Sequence, residues 1–175
     1  MSRSALQNQD SPLLGKPPVD GQTTMQVLPE EQKALKALNQ ALLAFNAIAE
    51  NEELFHEQLI MEFSEGIRQA QLAVGIIQFQ HQLNQQYQEQ LGLSTRPTHC
   101  DTLAAARNQF FHKVTDRSYP SAFQSVLTWM TEAWEQLVHL ATQYPNQVAQ
   151  YDFINGLTGC EEVLDRLAAK SLAIA

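Results

Sequence analysis

The sequence predicts an all-α chain: an antiparallel helical bundle of four to five helices, with one long central helix and a disordered N-terminal tail. Three observations carry that expectation. Apolar residues recur at spacings of three and four through most of the chain after residue 28. No strictly alternating run bounded by turn residues marks a strand. Proline- and glycine-bearing breaks cut the periodic pattern into pieces of helical length.

Residues 1–27 read as a flexible tail, punctuated by Pro12, Gly15, Pro17, Pro18 and Gly21 and without apolar periodicity. Residues 28–175 read as a single helical bundle domain. The first helix opens at Leu28-Pro29-Glu30-Glu31, where proline suits the first helical position and acids suit the positive end of the helix dipole. Leu35, Leu38, Leu42, Phe45 and Ala49 give it one apolar face, and a bend is expected between Asn46 and Glu53.

The second helix is the dominant element, expected from Glu52 to Leu91. Ile60, Phe63, Ile67, Ala70, Val74 and Ile77 form a heptad-like seam along it. A second apolar line runs through Leu72, Ile76, Phe79, Leu83, Tyr87 and Leu91. A helix that is apolar on two sides is usually sandwiched, in a bundle or an oligomer. The strip from Ile60 to Ile77 is therefore expected to be buried, within the chain or in a dimer. Gly66 and Gly75 would let a neighbouring helix approach closely, or else are mild weak points, each costing up to ~1 kcal/mol against alanine.

Gly92 caps this helix, Pro97 blocks its continuation, and Leu93 to Cys100 make a hairpin loop. Asp101 or Thr102 caps a third helix with the stripe Leu103, Ala106, Phe110 and Val114. Phe111 is rotated by about 100° from Phe110, so only one of the two can face the core. After Tyr119-Pro120-Ser121 comes the most plainly amphipathic segment, with Val126, Leu127, Met130, Trp134, Leu137 and Ala141 on one side. Tyr144-Pro145-Asn146 stops it. A last helix starts near Gln147, and Asn155, Gly156 and Gly159 are expected to kink or split it.

Composition narrows the functional classes. The formal net charge is −8, and charged residues make up 17% of the chain. Between Lys36 and Arg96 the only basic residue is Arg68, against seven acids. Nucleic acids and anionic membrane surfaces need clustered Lys and Arg, so neither is expected as a partner. Gln takes the place of charge: nine of the 22 positions from Gln69 to Gln90 are Gln. Cys100 and Cys160 form no CxxC pair and read as free thiols of a reducing compartment. No apolar run reaches the ~18 residues of a membrane span, and the N-terminus lacks the apolar stretch of a signal peptide. A cytoplasmic location is the expectation.

Histidine is the feature with most chemical promise. Glu53 and His56 form a Glu-x-x-His pair, the spacing that di-iron carboxylate bundles use twice. His81, His112 and His139 also lie one per helix, but Gln78, Gln109 and Gln136 precede them by three. An amide is a poor substitute for a bridging carboxylate, so no metal or other cofactor is expected. His99, Cys100 and Asp101 are adjacent in a loop and do not converge as nucleophile and base. Phosphate-cradling glycine loops and nucleophile elbows are missing. No catalytic residue is assigned. The residues expected to form an interaction surface are Ile60, Phe63, Ile67, Val74, Ile77, Phe111 and Trp129.

Three stretches resemble the phasin family, which coats polyhydroxyalkanoate granules. They are the Gln- and Ala-bearing run Glu65-Gly66-Ile67-Arg68-Gln69-Ala70-Gln71-Leu72-Ala73, then Arg107-Asn108-Gln109-Phe110-Phe111, then Thr131-Glu132-Ala133-Trp134-Glu135. The resemblance covers about Phe55 to Leu137. It departs in the helix before Phe55, the helix after Pro145 and the lower alanine content. It implies a non-enzymatic, surfactant-like protein whose apolar helix faces lie on the polymer. The residues themselves imply a non-enzymatic helical interaction protein: an adaptor, chaperone or regulator that binds a protein partner or itself through apolar helix faces. The granule coat is the alternative, and a ferritin-like metal-binding bundle the third reading.

Overall fold

The structure, a computed structural model, describes residues 28–50, 57–91, 101–116 and 119–174. These residues form five α-helices: α1 (Pro29–Ala49), α2 (Glu57–Leu91), α3 (Asp101–Asp116), α4 (Gln124–Gln143) and α5 (Gln147–Ile174). A short 3-10 turn, Ser121–Phe123, leads into α4. The architecture is the expected all-α bundle. The expected tail at 1–27, the start of the second helix at Glu52, His56 and the 93–100 loop lie outside the described residues.

The helix ends follow local chemistry. Pro29 occupies the first turn of α1, with Glu30 and Glu31 beside it. α1 ends at Ala49, within the stretch 46–53 where a bend is expected, and the Glu50 N–H still donates to the Asn46 carbonyl at 3.1 Å; residues 51–53 lie outside the described residues. Pro120 starts the turn before α4 and accepts from the Phe123 N–H at 2.9 Å. Asn146 caps α5: its Oδ1 accepts the Ala149 N–H at 3.0 Å, satisfying a donor that the helix leaves unpaired.

Two helix pairs make the body of the bundle. α1 packs on α4, and α2 packs on α5. The α2–α5 pair is antiparallel: Gln69 Nε2 donates to Asp152 Oδ1 at 3.3 Å near one end, and Arg166 pairs with Glu62 near the other. α1 and α2 join the pairs, with the Phe45 and Phe63 rings stacked at 3.9 Å and 3°. α3 lies across α4 and α5. Its Phe110 is buried 6.3 Å from the ring of Trp134, the largest fully buried side chain. Phe111, one residue on, is only partly buried, and Arg107 lies 5.9 Å over its ring.

The glycines of α5 act differently from the expectation. α5 is one continuous helix, neither split nor broken at Gly156. Ala149, Phe153, Leu157, Cys160, Leu164 and Leu167 give it an unbroken buried stripe, which outweighs the weak helix propensity of glycine. Gly156 instead meets Gly66 of α2 backbone to backbone: a Cβ on Gly156 would sit 2.5 Å from the Gly66 carbonyl oxygen. The Cys160 thiol donates to the Phe63 carbonyl at 3.4 Å in the same contact. Burial pushes that thiol far above its usual pKa, so it is unionised packing material.

Candidate interaction surface on the long helix

α2 presents two apolar faces, and the fold encloses only one. Leu59, Phe63, Ile67, Ala70, Val74 and Ile77 are buried against the chain's own core. The seven residues expected to form a contact surface are corrected accordingly. Phe63, Ile67, Val74 and Ile77 are fully enclosed by this chain, and Ile60, Phe111 and Trp129 are partly buried against the same core. The heptad-like seam serves α1 and α5, so it cannot meet a partner without opening the bundle.

The second line stays outside. Leu72, Ile76, Phe79 and Tyr87 are 63%, 40%, 56% and 58% exposed. Leu83, between them, is half-buried. At ~100° per residue these positions cluster on the side of the helix roughly opposite Phe63, Ile67 and Val74. No Asp, Glu, Lys or Arg occurs from Gln69 to Gln88, so the ridge and its flanks carry no formal charge. Gly75 lies at the ridge edge, and nothing stands within 4 Å of where its Cβ would be. Towards the start of α2 the ridge grades into a shallow groove of about 820 Å³ against α5, walled by Met61, Leu72, Arg68, Glu62, Glu65 and Glu162.

No family model, characterised protein or solved structure matches this chain.

The three described histidines, His81, His112 and His139, do not converge. The His81 ring meets Tyr144 edge-on at 4.5 Å, His112 is exposed, and His139 Nε2 lies 3.8 Å from Glu30 Oε2. Among the described residues no group of three His, Cys, Asp or Glu side chains is placed to hold a metal ion. No described helix is long and apolar enough to cross a membrane.

One polar cluster was not visible in the sequence. Lys113 Nζ of α3 contacts Glu161 Oε1 at 3.2 Å and Asp165 Oδ2 at 3.0 Å, both on α5. The Tyr119 hydroxyl donates to Asp165 Oδ1 at 2.6 Å. The partners are 46 to 52 residues apart, so no local spacing announces them. Burial raises the Glu161 pKa, Lys113 pulls it back, and Asp165 adds to the rise. The Trp134 indole N–H lies close enough to favour the Glu161 carboxylate, but it makes no hydrogen bond of normal geometry. For Lys113, burial lowers the pKa, and the bonds and charges of Asp165 and Glu161 outweigh it. None of these residues lines the groove on α2. The cluster ties α3 to α5.

Lys113→Met is expected to cost about 2 kcal/mol at neutral pH, because it strands the buried Glu161 carboxylate and the half-buried Asp165. The folded-state pKa of Glu161 lies above its unfolded value and rises further without Lys113. Folding therefore favours the protonated carboxyl, and the deficit shrinks as pH falls through that folded pKa. Lysine's own contribution is complete below its unfolded pKa and is lost as pH rises through the folded one. Urea melts of both proteins at neutral and mildly acidic pH check this. A gap that does not narrow in acid would remove the charge network as its cause.

Proposed function

We propose that this chain is a non-enzymatic helical interaction protein whose working surface is the outer face of α2. The observation that carries the reading is the exposed line Leu72, Ile76, Phe79 and Tyr87 on a helix whose opposite face is already committed to the core. Such a line stabilises nothing in the single chain. Covering it releases apolar surface from water at about 25 cal/mol per Å². The shifted groups lend support from the other side: Cys160 and Glu161 are enclosed in packing and ion pairs that hold the helices together. An adaptor, chaperone or regulator would use a neutral, glutamine-flanked ridge of this kind to select an apolar partner over a charged one.

A photo-reactive benzophenone side chain at position 79 of the full chain, activated in cells, tests the reading. The expected result is a discrete covalent protein adduct, absent when the same group replaces exposed Glu132 on α4. No adduct at position 79, or the same adducts at both positions, would overturn it. The resemblance to phasins supplies the alternative, in which the ridge lies on a hydrophobic polymer. Purified chain binding amorphous polyhydroxyalkanoate granules, and losing that binding on Phe79→Asp, would favour that reading instead.

A further inference from the structure

From the charge pattern and spacing of this ridge we infer that its partner is a second copy of this chain, the two α2 helices packing antiparallel about a two-fold axis at the level of Ile77 and Gln78. The inference rests on the proposed use of the outer face of α2 and names what covers it.

Charge restricts where two copies can meet. Each carries a net charge of −8, so most of their surfaces repel one another. The stretch from Gln69 to Gln88 is exempt, since it holds no formal charge. It is also where the exposed apolar side chains lie in line.

The spacing along the ridge is self-complementary when one copy is reversed. An axis between residues 77 and 78 sets Ile76 against the other copy's Phe79, and Leu72 against its Leu83. It also brings Arg68, exposed at the end of the ridge, to the level of the other copy's Tyr87 and beside its neutral Gln86. Every contact then occurs twice, as a two-fold interface requires. A parallel pairing in register instead stacks the two arginines at position 68 on one another.

Gly75 supplies a second, independent indication. An exposed glycine inside a helix costs up to ~1 kcal/mol relative to alanine. Nothing in its own chain comes within 4 Å of the missing Cβ, so the fold does not require it. In the reversed pair it lies beside the other copy's Phe79, where the absent side chain leaves a notch for the ring and for close helix approach.

The area is sufficient. Side chains of this kind expose roughly 150–250 Å² in full. At the exposures seen for Leu72, Ile76, Phe79 and Tyr87 they offer roughly 400 Å² per copy. Two copies then bury roughly 800 Å² from these residues alone. Leu83, Arg68 and the flanking glutamines carry the total past the ~1,000 Å² of a specific, reversible interface.

Sedimentation velocity of the full chain from about 1 to 200 μM, together with disulfide mapping, tests the inference. The expected result is a concentration-dependent shift from one to two copies, weakened at least tenfold by Leu72→Glu with Phe79→Glu. Both positions are exposed, so the circular dichroism spectrum should be unchanged. In a Cys100→Ser background, which leaves Cys160 as the one native cysteine, the Leu72→Cys, Leu83→Cys double variant should cross-link between copies under mild oxidation. Leu72→Cys alone should not, because its two copies lie about 16 Å apart along the helices. Cross-linking by Leu72→Cys alone would overturn the antiparallel arrangement. A single copy at every concentration would overturn self-pairing. In that case a benzophenone adduct at position 79 to some other protein keeps the α2 surface and rejects only the second copy. The lack of any adduct rejects both.

Discussion

Ile67→Asp is expected to cost about 4–5 kcal/mol at neutral pH and to leave much of the chain unfolded, against a total stability of ~5–15 kcal/mol for a domain of this size. Ile67 is fully buried where α2 meets α5, beside Cys160 and one turn from Phe63. A carboxylate there loses its hydration and finds no cation. Arg68 next to it points to solvent on the other side of the helix, and Arg166 is already engaged by Glu62. The introduced carboxyl would have a raised folded-state pKa, so part of the loss should be recovered as pH falls through that value. Ile67→Val, which removes one methylene, should cost only about 1 kcal/mol. Thermal melts by circular dichroism measure both. A melting temperature unchanged by Ile67→Asp would mean that the inner face of α2 is not core, and the fold described above would be wrong.

The second large effect is expected at Gly156. A Cβ there would lie 2.5 Å from the Gly66 carbonyl oxygen and 3.2 Å from the Ala70 nitrogen. Both obstacles are backbone atoms of α2, so no side-chain rotation relieves the clash. The helices must separate, which loosens the packing of Phe63, Ile67 and Cys160 around the contact. Gly156→Val should therefore cost about 3 kcal/mol or more, lowering the melting temperature by roughly 6–12 °C for a chain of this length. Gly159 is the control. It lies on the same helix with nothing within 4 Å of its missing Cβ, so Gly159→Ala should stabilise by up to ~1 kcal/mol. Equal effects at the two positions would show that helix propensity alone, and not the α2–α5 contact, makes Gly156 matter.

Much of the bundle was legible because helices announce themselves locally. The stripe of α4 from Val126 to Ala141 and its stop at Tyr144-Pro145-Asn146 needed no knowledge of neighbours. Pro29 and the acids after it marked the start of α1 for the same reason. The choice between Phe110 and Phe111 also follows from rotation about one helix, although which of them turns inward is a tertiary fact. The candidate site was only half legible. Both apolar lines of α2 stand in the sequence, but a wheel drawn on one helix gives no ranking between them. The heptad-like line has the more regular spacing and the outer line the larger side chains, so the two signals point in opposite directions. Glycine was ambiguous in a related way. Gly66, Gly75, Gly156 and Gly159 look alike in sequence, yet Gly66 and Gly156 are pressed against one another while Gly75 and Gly159 face open space.

What the sequence determined by itself was the secondary structure, the boundaries set by proline and asparagine, the acid balance and the existence of two apolar sides on the longest helix. These depend on dihedral preference and on periodicity over a few turns, quantities that a short stretch of chain contains. The tertiary structure decided which side of α2 is spent on α1 and α5, where Lys113 finds Glu161 and Asp165, and which glycines are contacts. Those outcomes depend on the relative placement of helices up to a hundred residues apart, and only the burial competition among all five of them fixes it.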